Sequence, residues 1–214
     1  MPCEHCCGAD QVFDLKTAKK ERKRYFKKGP KGATKRILEA LDKFPKKDKT
    51  LLDIGGGIGI IQWNHLEAGG SKTTHLDSSS GYQTVAKEIA IKKGFSDHSQ
   101  FHFGDFVEIQ REIKPHDFVT LDKVVCCYPD YEELLIAATK KCDETLALSF
   151  PMDGFIAKAF QKVGGLYMKY IERSAFRPFV HPVHKIDEVI RSNGFYLASQ
   201  ALSFPWHVRV YKRN

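Results

Sequence analysis

Residues 51–62, with the sequence LLDIGGGIGIIQ, contain four glycines between two apolar runs. An apolar run that enters a glycine-rich turn and then becomes apolar again is typical of a buried strand, a tight turn and the start of a helix. Glycines in such a turn let the backbone pass close beneath a bound ligand. The segment therefore predicts a cofactor site at the carboxyl end of a strand.

The spacing of these glycines distinguishes between cofactors. The dinucleotide fingerprint Gly-x-Gly-x-x-Gly, counted from Gly55, would need a third glycine where the chain has Ile60, and counting from either of the next two glycines also fails. The pattern that fits is acid-x-Gly-x-Gly-x-Gly, formed by Asp53, Gly55, Gly57 and Gly59. It resembles motif I of the S-adenosylmethionine (SAM) dependent methyltransferases, which implies SAM as the cofactor. An acidic group at the strand end suits the ammonium of SAM, whereas a pyrophosphate favours a bare helix N-terminus.

Two further strand ends carry groups that suit a nucleoside. Asp77 ends the second predicted strand, 20 residues after Gly57, where a carboxylate can accept hydrogen bonds from both ribose hydroxyls, and Ser78 lies beside it. Gly104-Asp105-Phe106 ends the third predicted strand. The resemblance to class I methyltransferases implies that Asp105 binds the adenine amino group and that Phe106 packs on the adenine ring.

The order of elements predicts the fold class. Strands at 50–54, 72–77, 100–106, 117–125 and 145–151 alternate with helices, which indicates a parallel sheet covered on both faces. The last two apolar alternations, 195–204 and 206–213, have only Pro205 between them and must pair antiparallel. We therefore expect an α/β, Rossmann-like class I methyltransferase sheet, mostly parallel, with an antiparallel C-terminal hairpin and N-terminal helices. The predicted division is a basic, cysteine-containing helical lid or cap (1–44), a methyltransferase domain (45–214) and an acceptor-side insertion (152–182).

The net charge of +8 is concentrated near the N-terminus. Residues 1–36 contain eleven basic and four acidic side chains, so the remainder of the chain is nearly neutral. Such a run is either a solvated helix face or a guide for an anionic acceptor. The sequence lacks an apolar run long enough to span a bilayer, and its first residues do not have the order of a signal peptide, so we expect a cytoplasmic protein with no membrane span.

The segment after the fourth strand, TLDKVVCCYPD (120–130), is where the methyl acceptor is expected. It resembles the corresponding segment of the magnesium-protoporphyrin O-methyltransferases through Leu121-Asp122 and Tyr128-Pro129. A second similarity, in residues 176–190, gives Arg177 and His181. The resemblance implies that Asp122, Tyr128 and His181 face the acceptor and that Asp122 also contacts the cofactor. Where that family has a histidine this chain has Cys127, and a thiol is not a comparable partner for a carboxylate unless its pKa is depressed.

The cysteines form two groups that could bind a metal. Cys3, Cys6 and Cys7 have ligand spacing, and Cys126 and Cys127 lie in the acceptor segment. If the N-terminal segment folds over the cofactor, these thiols could meet around zinc, another thiophilic ion or a thiophilic metalloid acceptor. Buried inert thiols and a frayed N-terminus are the alternative.

These observations favour SAM-dependent methyl transfer to a small, anionic or aromatic acceptor, with Asp122, Cys127, Tyr128 and His181 as catalytic candidates. Two alternatives remain open. One is an RNA methyltransferase that places its basic N-terminal helices on phosphates. The other is a non-catalytic sensor that binds SAM or a metal.

Overall fold

The computed structural model describes residues 10–154 and 178–214. Within these ranges, seven strands form one sheet. The strands are β1 (Thr50–Ile54), β2 (Lys72–Asp77), β3 (Ser99–Phe103), β4 (His116–Asp122), β5 (Cys142–Pro151), β6 (Phe195–Ser203) and β7 (Trp206–Arg213). The helices are α1 (Leu15–Lys28), α2 (Gly32–Leu41), α3 (Ile60–Glu67), α4 (Ser80–Lys93), α5 (Phe106–Ile109), α6 (Tyr131–Lys140) and α7 (Val183–Ser192).

The sheet confirms the predicted fold class. Its strand order is β3-β2-β1-β4-β5-β7-β6, and neighbouring strands from β3 through β5 are parallel. Strand β7 is inserted antiparallel between β5 and β6, which makes the expected C-terminal hairpin. The order reverses between β1 and β4, and ligands of open parallel sheets bind outside the carboxyl ends of the strands at such a point.

Two predicted strand ends were wrong. The third strand stops at Phe103 instead of residue 106, because Gly104 has φ +138° and the Asp105 carboxylate accepts a hydrogen bond from the Val107 N–H, which starts α5. The fourth strand stops at Asp122 instead of residue 125, because Lys123 has a left-handed φ of +64°. Both changes convert predicted strand into turns at the ligand-binding edge of the sheet.

Alternate residues of the central strands pack into two cores, one on each face of the sheet. In β4, Phe118 belongs to the core beneath α2, α3 and α4, and the next residue, Val119, belongs to the core beneath α6 and α7. Successive side chains of a strand point to opposite faces, so the sheet is covered on both sides as predicted.

Helix α2 belongs to the first of these cores. Its side chains Ala33, Ile37 and Leu41 are each at most 3% exposed, and the helix packs against β5, β6 and β7. By contrast, α1 buries only Ala18 fully and carries its lysines on the exposed side. The basic run therefore includes a solvated helix face, while the second N-terminal helix is part of the main body.

Gly59 allows a direct test of the glycine turn. It has φ +81°, and an added Cβ would lie 2.5 Å from the Trp63 ring, whose Nε1–H donates to the Ile58 carbonyl. Gly94 is a matched control, since it has φ +72° but no atom within 4 Å of an added Cβ. Backbone strain alone costs about 1–2 kcal/mol, and overpacking adds about 1–3 kcal/mol.

We expect Gly59→Ala to lower the free energy of unfolding in urea by about 2–5 kcal/mol, and Gly94→Ala by about 1–2 kcal/mol. Equal losses for the two variants would show that the Trp63 contact is unimportant.

Candidate active site

A cavity of about 430 Å³ lies at the carboxyl ends of β1, β2 and β4. This volume is within the range of small-molecule pockets. The described residues that line it come from the glycine turn, the ends of β2 and β4, the N-terminal helices and the C-terminal part of the chain. They are Phe13, Glu21, Thr34, Asp53, Gly55, Gly56, Gly57, Ile58, Ile60, Ile61, Asp77, Ser78, Tyr82, Asp122, Lys123, Val124, Cys126, Cys127, Tyr128, Pro178 and Trp206.

Backbone hydrogen bonds hold the glycine turn against the end of β2. The N–H groups of Gly55 and Gly56 donate to the Leu76 carbonyl at 2.7 and 3.2 Å. The Gly57 N–H donates to Asp77 Oδ2 at 2.8 Å, and the Ser79 N–H donates to Asp77 Oδ1 at 2.8 Å. A single carboxylate thus joins the turn after β1 to the turn after β2, and Asp77 and its neighbour Ser78 both line the cavity.

Asp53 lies beneath the turn and is 1% exposed. Thr120 donates to Asp53 Oδ1 at 2.6 Å, whereas Oδ2 has no hydrogen-bond partner among the described residues. Burial, with smaller contributions from the nearby carboxylates of Asp122 and Asp77, raises the pKa of Asp53 to about 7 against the lowering effect of the Thr120 hydrogen bond. Burial likewise raises the pKa of Asp77 to about 6. Both acids can therefore gain or lose a proton near neutral pH.

Asp105 and Phe106 are not among the residues that line this cavity. Asp105 caps α5 through its hydrogen bond to Val107 N–H, and the Phe106 side chain is 1% exposed in the core beneath α6 and α7. The structure therefore presents the Phe106 ring to the core. The early start of α5, directly after Gly104, is the reason for this orientation.

Asp122 and Lys123 form the floor of the cavity at the end of β4. Asp122 Oδ1 accepts from Ser149 Oγ at 2.6 Å, and Oδ2 accepts from Thr34 Oγ1 at 2.5 Å. Lys123 Nζ lies 3.2 Å from Asp122 Oδ2 and donates to Thr34 Oγ1 at 2.9 Å. Lys123 was missed by sequence reasoning, although it directly follows a predicted site residue.

The acceptor segment continues as a 3₁₀ turn, Val125–Cys127, which brings the predicted Cys126, Cys127 and Tyr128 to the cavity wall. A hydrogen bond with Cys126 and burial raise the pKa of Cys127 well above its ordinary value. Cys127 is therefore a neutral thiol, and the depressed pKa that would let it replace a histidine is absent. The buried hydroxyl of Tyr128 has no hydrogen-bond partner among the described residues.

His181 supports this segment from behind and does not line the cavity. Its Nε2 lies 2.9 Å from the Tyr128 carbonyl, and its ring packs against Tyr131 at 4.2 Å between centroids. Burial lowers its pKa. The Phe179 N–H also donates to the Cys126 carbonyl at 2.7 Å. In this structure His181 positions the backbone of the acceptor segment.

The N-terminal part of the chain completes the cavity through Phe13, in the turn before α1, Glu21 of α1 and Thr34 of α2. Glu21 accepts from the Tyr82 hydroxyl at 2.7 Å, and the Phe13 carbonyl accepts from Ser79 Oγ at 2.5 Å. Sequence reasoning missed these residues individually, because no local pattern shows which side of a helix meets a cavity formed by distant strands.

Among residues 10–154 and 178–214, the structure has no group of three or more His, Cys, Asp or Glu side chains that could hold a metal ion. Cys3, Cys6, Cys7 and Arg177 lie outside the described residues, as does most of the predicted insertion at 152–182. In the same described ranges, no helix is both long and apolar enough to cross a membrane.

The strand order and the glycine turn define the class I methyltransferase fold, and solved structures bear this out. The magnesium protoporphyrin IX methyltransferase ChlM from Synechocystis PCC 6803, solved with bound SAH, has a TM-score of 0.69 at 18% identity, covering 84% of this chain and 81% of that chain. The [4+2]-cyclase SpnF has a TM-score of 0.66 at 11% identity, covering 85% and 81%. A putative RNA methyltransferase from Pyrococcus horikoshii has a TM-score of 0.58 at 12% identity, covering 83% and 82%.

No protein-family model and no curated protein matches the sequence. The structural likenesses, all at low identity, show the fold. They include proteins of different chemistry, so the choice of substrate depends on this chain's own side chains.

The raised pKa of Asp53 predicts a pH dependence of stability. Between pH 4 and 7 the carboxyl of Asp53 stays protonated in the folded protein but ionises in the unfolded chain, so the unfolded state binds fewer protons. The contribution of Asp53 to the free energy of unfolding therefore falls as pH rises. We expect Asp53→Asn to gain about 1–2 kcal/mol of unfolding free energy relative to the parent protein between pH 5 and 7, measured by urea denaturation.

The exposed residue Asp97 provides a control, and Asp97→Asn should show no such change relative to the parent protein. A pH-independent difference between Asp53→Asn and the parent protein would mean that Asp53 has an ordinary pKa.

Proposed function

We propose that this protein is a SAM-dependent methyltransferase that acts on a small anionic acceptor. The observation that carries the proposal is the charge distribution of the cavity. Four carboxylates, on Glu21, Asp53, Asp77 and Asp122, line it together with one described basic side chain, Lys123. Such a site suits a cationic cofactor and offers one positive group for an acceptor.

The residues present fit SAM better than a dinucleotide. SAM carries a sulfonium and an ammonium against one carboxylate, so its net charge complements the acidic lining, whereas a pyrophosphate would be repelled by it. The unpartnered, buried Asp53 Oδ2 provides a hydrogen-bond acceptor beneath the turn. Asp77 is available to ribose hydroxyls. When bound, SAM supplies an electrophilic methyl group.

The comparisons support this proposal at the level of the fold. The ChlM structure contains SAH, the product of SAM after methyl transfer, and its fold matches that of this chain with a TM-score of 0.69. Asp105 and Phe106 stay in the proposal as adenine contacts only if the end of β3 rearranges around the nucleoside.

At the acceptor end, the chain's own groups bind and orient an anion. Lys123 Nζ contacts only Thr34 and Asp122 among the described residues, and its side chain is 40% exposed. The Tyr128 hydroxyl can donate a second hydrogen bond. A carboxylate is ionised at neutral pH and is already nucleophilic, so in-line positioning supplies most of the required catalysis without a general base. Such a mechanism needs no base from Cys127, which is a neutral thiol, or from His181, which does not line the cavity.

Asp77 provides the test of the cofactor site. We expect Asp77→Asn to weaken SAM binding by about 10- to 100-fold, since an amide oxygen cannot replace a carboxylate that accepts hydrogen bonds through both oxygens. Isothermal titration calorimetry measures the change, and Asp97→Asn should bind SAM as the parent protein does. Unchanged binding in Asp77→Asn would place the nucleoside elsewhere. SAM binding without conversion to SAH in any acceptor screen would favour the non-catalytic sensor.

Lys123 provides the test of the acceptor class. In a SAH-release screen of carboxylates, thiols and porphyrins, we expect carboxylates to be turned over. For the best substrate, Lys123→Gln should raise KM by about 10- to 100-fold with a smaller effect on kcat, because it removes a charge-assisted hydrogen bond. Lys123→Arg should recover part of the loss, and SAM affinity should be retained in both variants. A preference for uncharged acceptors would contradict the proposal.

A variant of α1 separates this proposal from the RNA alternative. Replacing Lys19, Lys20, Lys23, Lys27 and Lys28 by Gln removes positive charge from a helix that contributes no basic side chain to the cavity lining. Turnover of the small acceptor should be unchanged in this variant and in the presence of nuclease. Loss of turnover in both cases would favour RNA as the substrate.

A further inference from the structure

The thiols of Cys126 and Cys127 form a pair at the cavity wall. The 3₁₀ turn Val125–Cys127 brings adjacent side chains together, so the two Sγ atoms lie 3.8 Å apart. Each Sγ also lies 3.3 Å from the same Lys123 carbonyl oxygen. Cys126 is 6% exposed, Cys127 is partly exposed, and both line the cavity. The pair is therefore preassembled and open to a small ligand.

The separation of the sulfurs suits a bridging atom better than a disulfide. A disulfide requires an S–S distance of about 2.05 Å, so the thiols would have to approach by almost half their present separation. An atom that bonds two sulfurs at about 2.3 Å, with an angle of about 95–110° between the bonds, holds them about 3.4–3.8 Å apart. The native separation lies at the upper end of this range.

The surroundings of the pair restrict the kind of atom. A divalent cation such as zinc needs two thiolates and normally four ligands, but the described residues provide no third His, Cys, Asp or Glu at this place. The mutual hydrogen bond and burial raise the pKa of Cys127, so forming thiolates there is unfavourable. A ligand that is uncharged and needs only two protein sulfurs meets both conditions.

We propose that the Cys126–Cys127 pair binds uncharged trivalent arsenic, as arsenous acid or a monosubstituted arsonous acid. Two S–H bonds and two As–OH bonds break, two As–S bonds form, and two molecules of water leave. Arsenic stays trivalent, and no net proton is released. The third substituent of arsenic projects into the cavity beside Lys123 and Tyr128, where it competes with an acceptor. The site does not depend on the proposed methyltransferase activity, because binding is measured without SAM.

The experiment uses the full chain with Cys3, Cys6 and Cys7 replaced by Ser, so that only three thiols remain. Native mass spectrometry with arsenous acid and with phenylarsine oxide measures binding, and thermal unfolding measures its linkage to the folded state. A ligand that prefers the folded chain raises the unfolding midpoint, whereas one that binds folded and unfolded chains equally leaves it unchanged.

We expect one equivalent of arsenous acid or of phenylarsine oxide to bind the background variant and the midpoint of its thermal unfolding to rise. Cys127→Ser and Cys127→Ala, added separately to this background, should abolish both effects. Cys142→Ser should retain them, because Cys142 is fully buried in β5. Circular dichroism identifies any variant that fails to fold.

Three outcomes would overturn the inference. The first is no binding by the background variant. The second is binding with no change in midpoint, which would indicate ordinary reactivity of adjacent cysteines. The third is a rise in midpoint with zinc chloride and none with arsenous acid, which would assign the pair to a cation.

Discussion

The hydrogen bonds of the Asp77 carboxylate connect the two turns on which the cavity depends. One oxygen accepts from the Gly57 N–H and the other from the Ser79 N–H, so a single side chain sets the distance between the ends of β1 and β2. Burial raises the pKa of this carboxyl to about 6 against the lowering effect of the two backbone donors. The group that binds the protein's own backbone thus also lines the cavity.

The acidic character of the cavity follows from the same arrangement. Parallel strands bring their carboxyl ends to one edge of the sheet, and in this chain Asp53, Asp77 and Asp122 lie within the last two residues of their strands. Each carboxylate has a nearby donor, and the buried Asp53 retains one free oxygen among the described residues. Collecting like charges raises the free energy of the empty site, and a cationic ligand relieves that repulsion.

Local sequence patterns predicted the alternation of strands and helices and the C-terminal hairpin, because hydrophobic periodicity indicates each element separately. They also predicted the residues of the glycine turn, because spacing along a single turn determines them. Thr34 and Glu21 reach the cavity only through the packing of α1 and α2, which no local pattern reports. Lys123 depends on a left-handed backbone that is rare for lysine and cannot be inferred from neighbouring residues. The adenine contact of Phe106 came from the family resemblance and stays a prediction, and the structure buries that side chain in the core after the turn at Gly104.

Helix α2 has a consequence for how the protein is made. It is synthesised before β6 and β7, which are among the strands against which it packs. On the ribosome, the packing of Ile37 and Leu41 against the sheet is therefore incomplete until the hairpin has emerged. The cavity, which Trp206 of the hairpin helps to line, is completed late, so a chain interrupted before the hairpin has the glycine-rich sequence without a finished cavity.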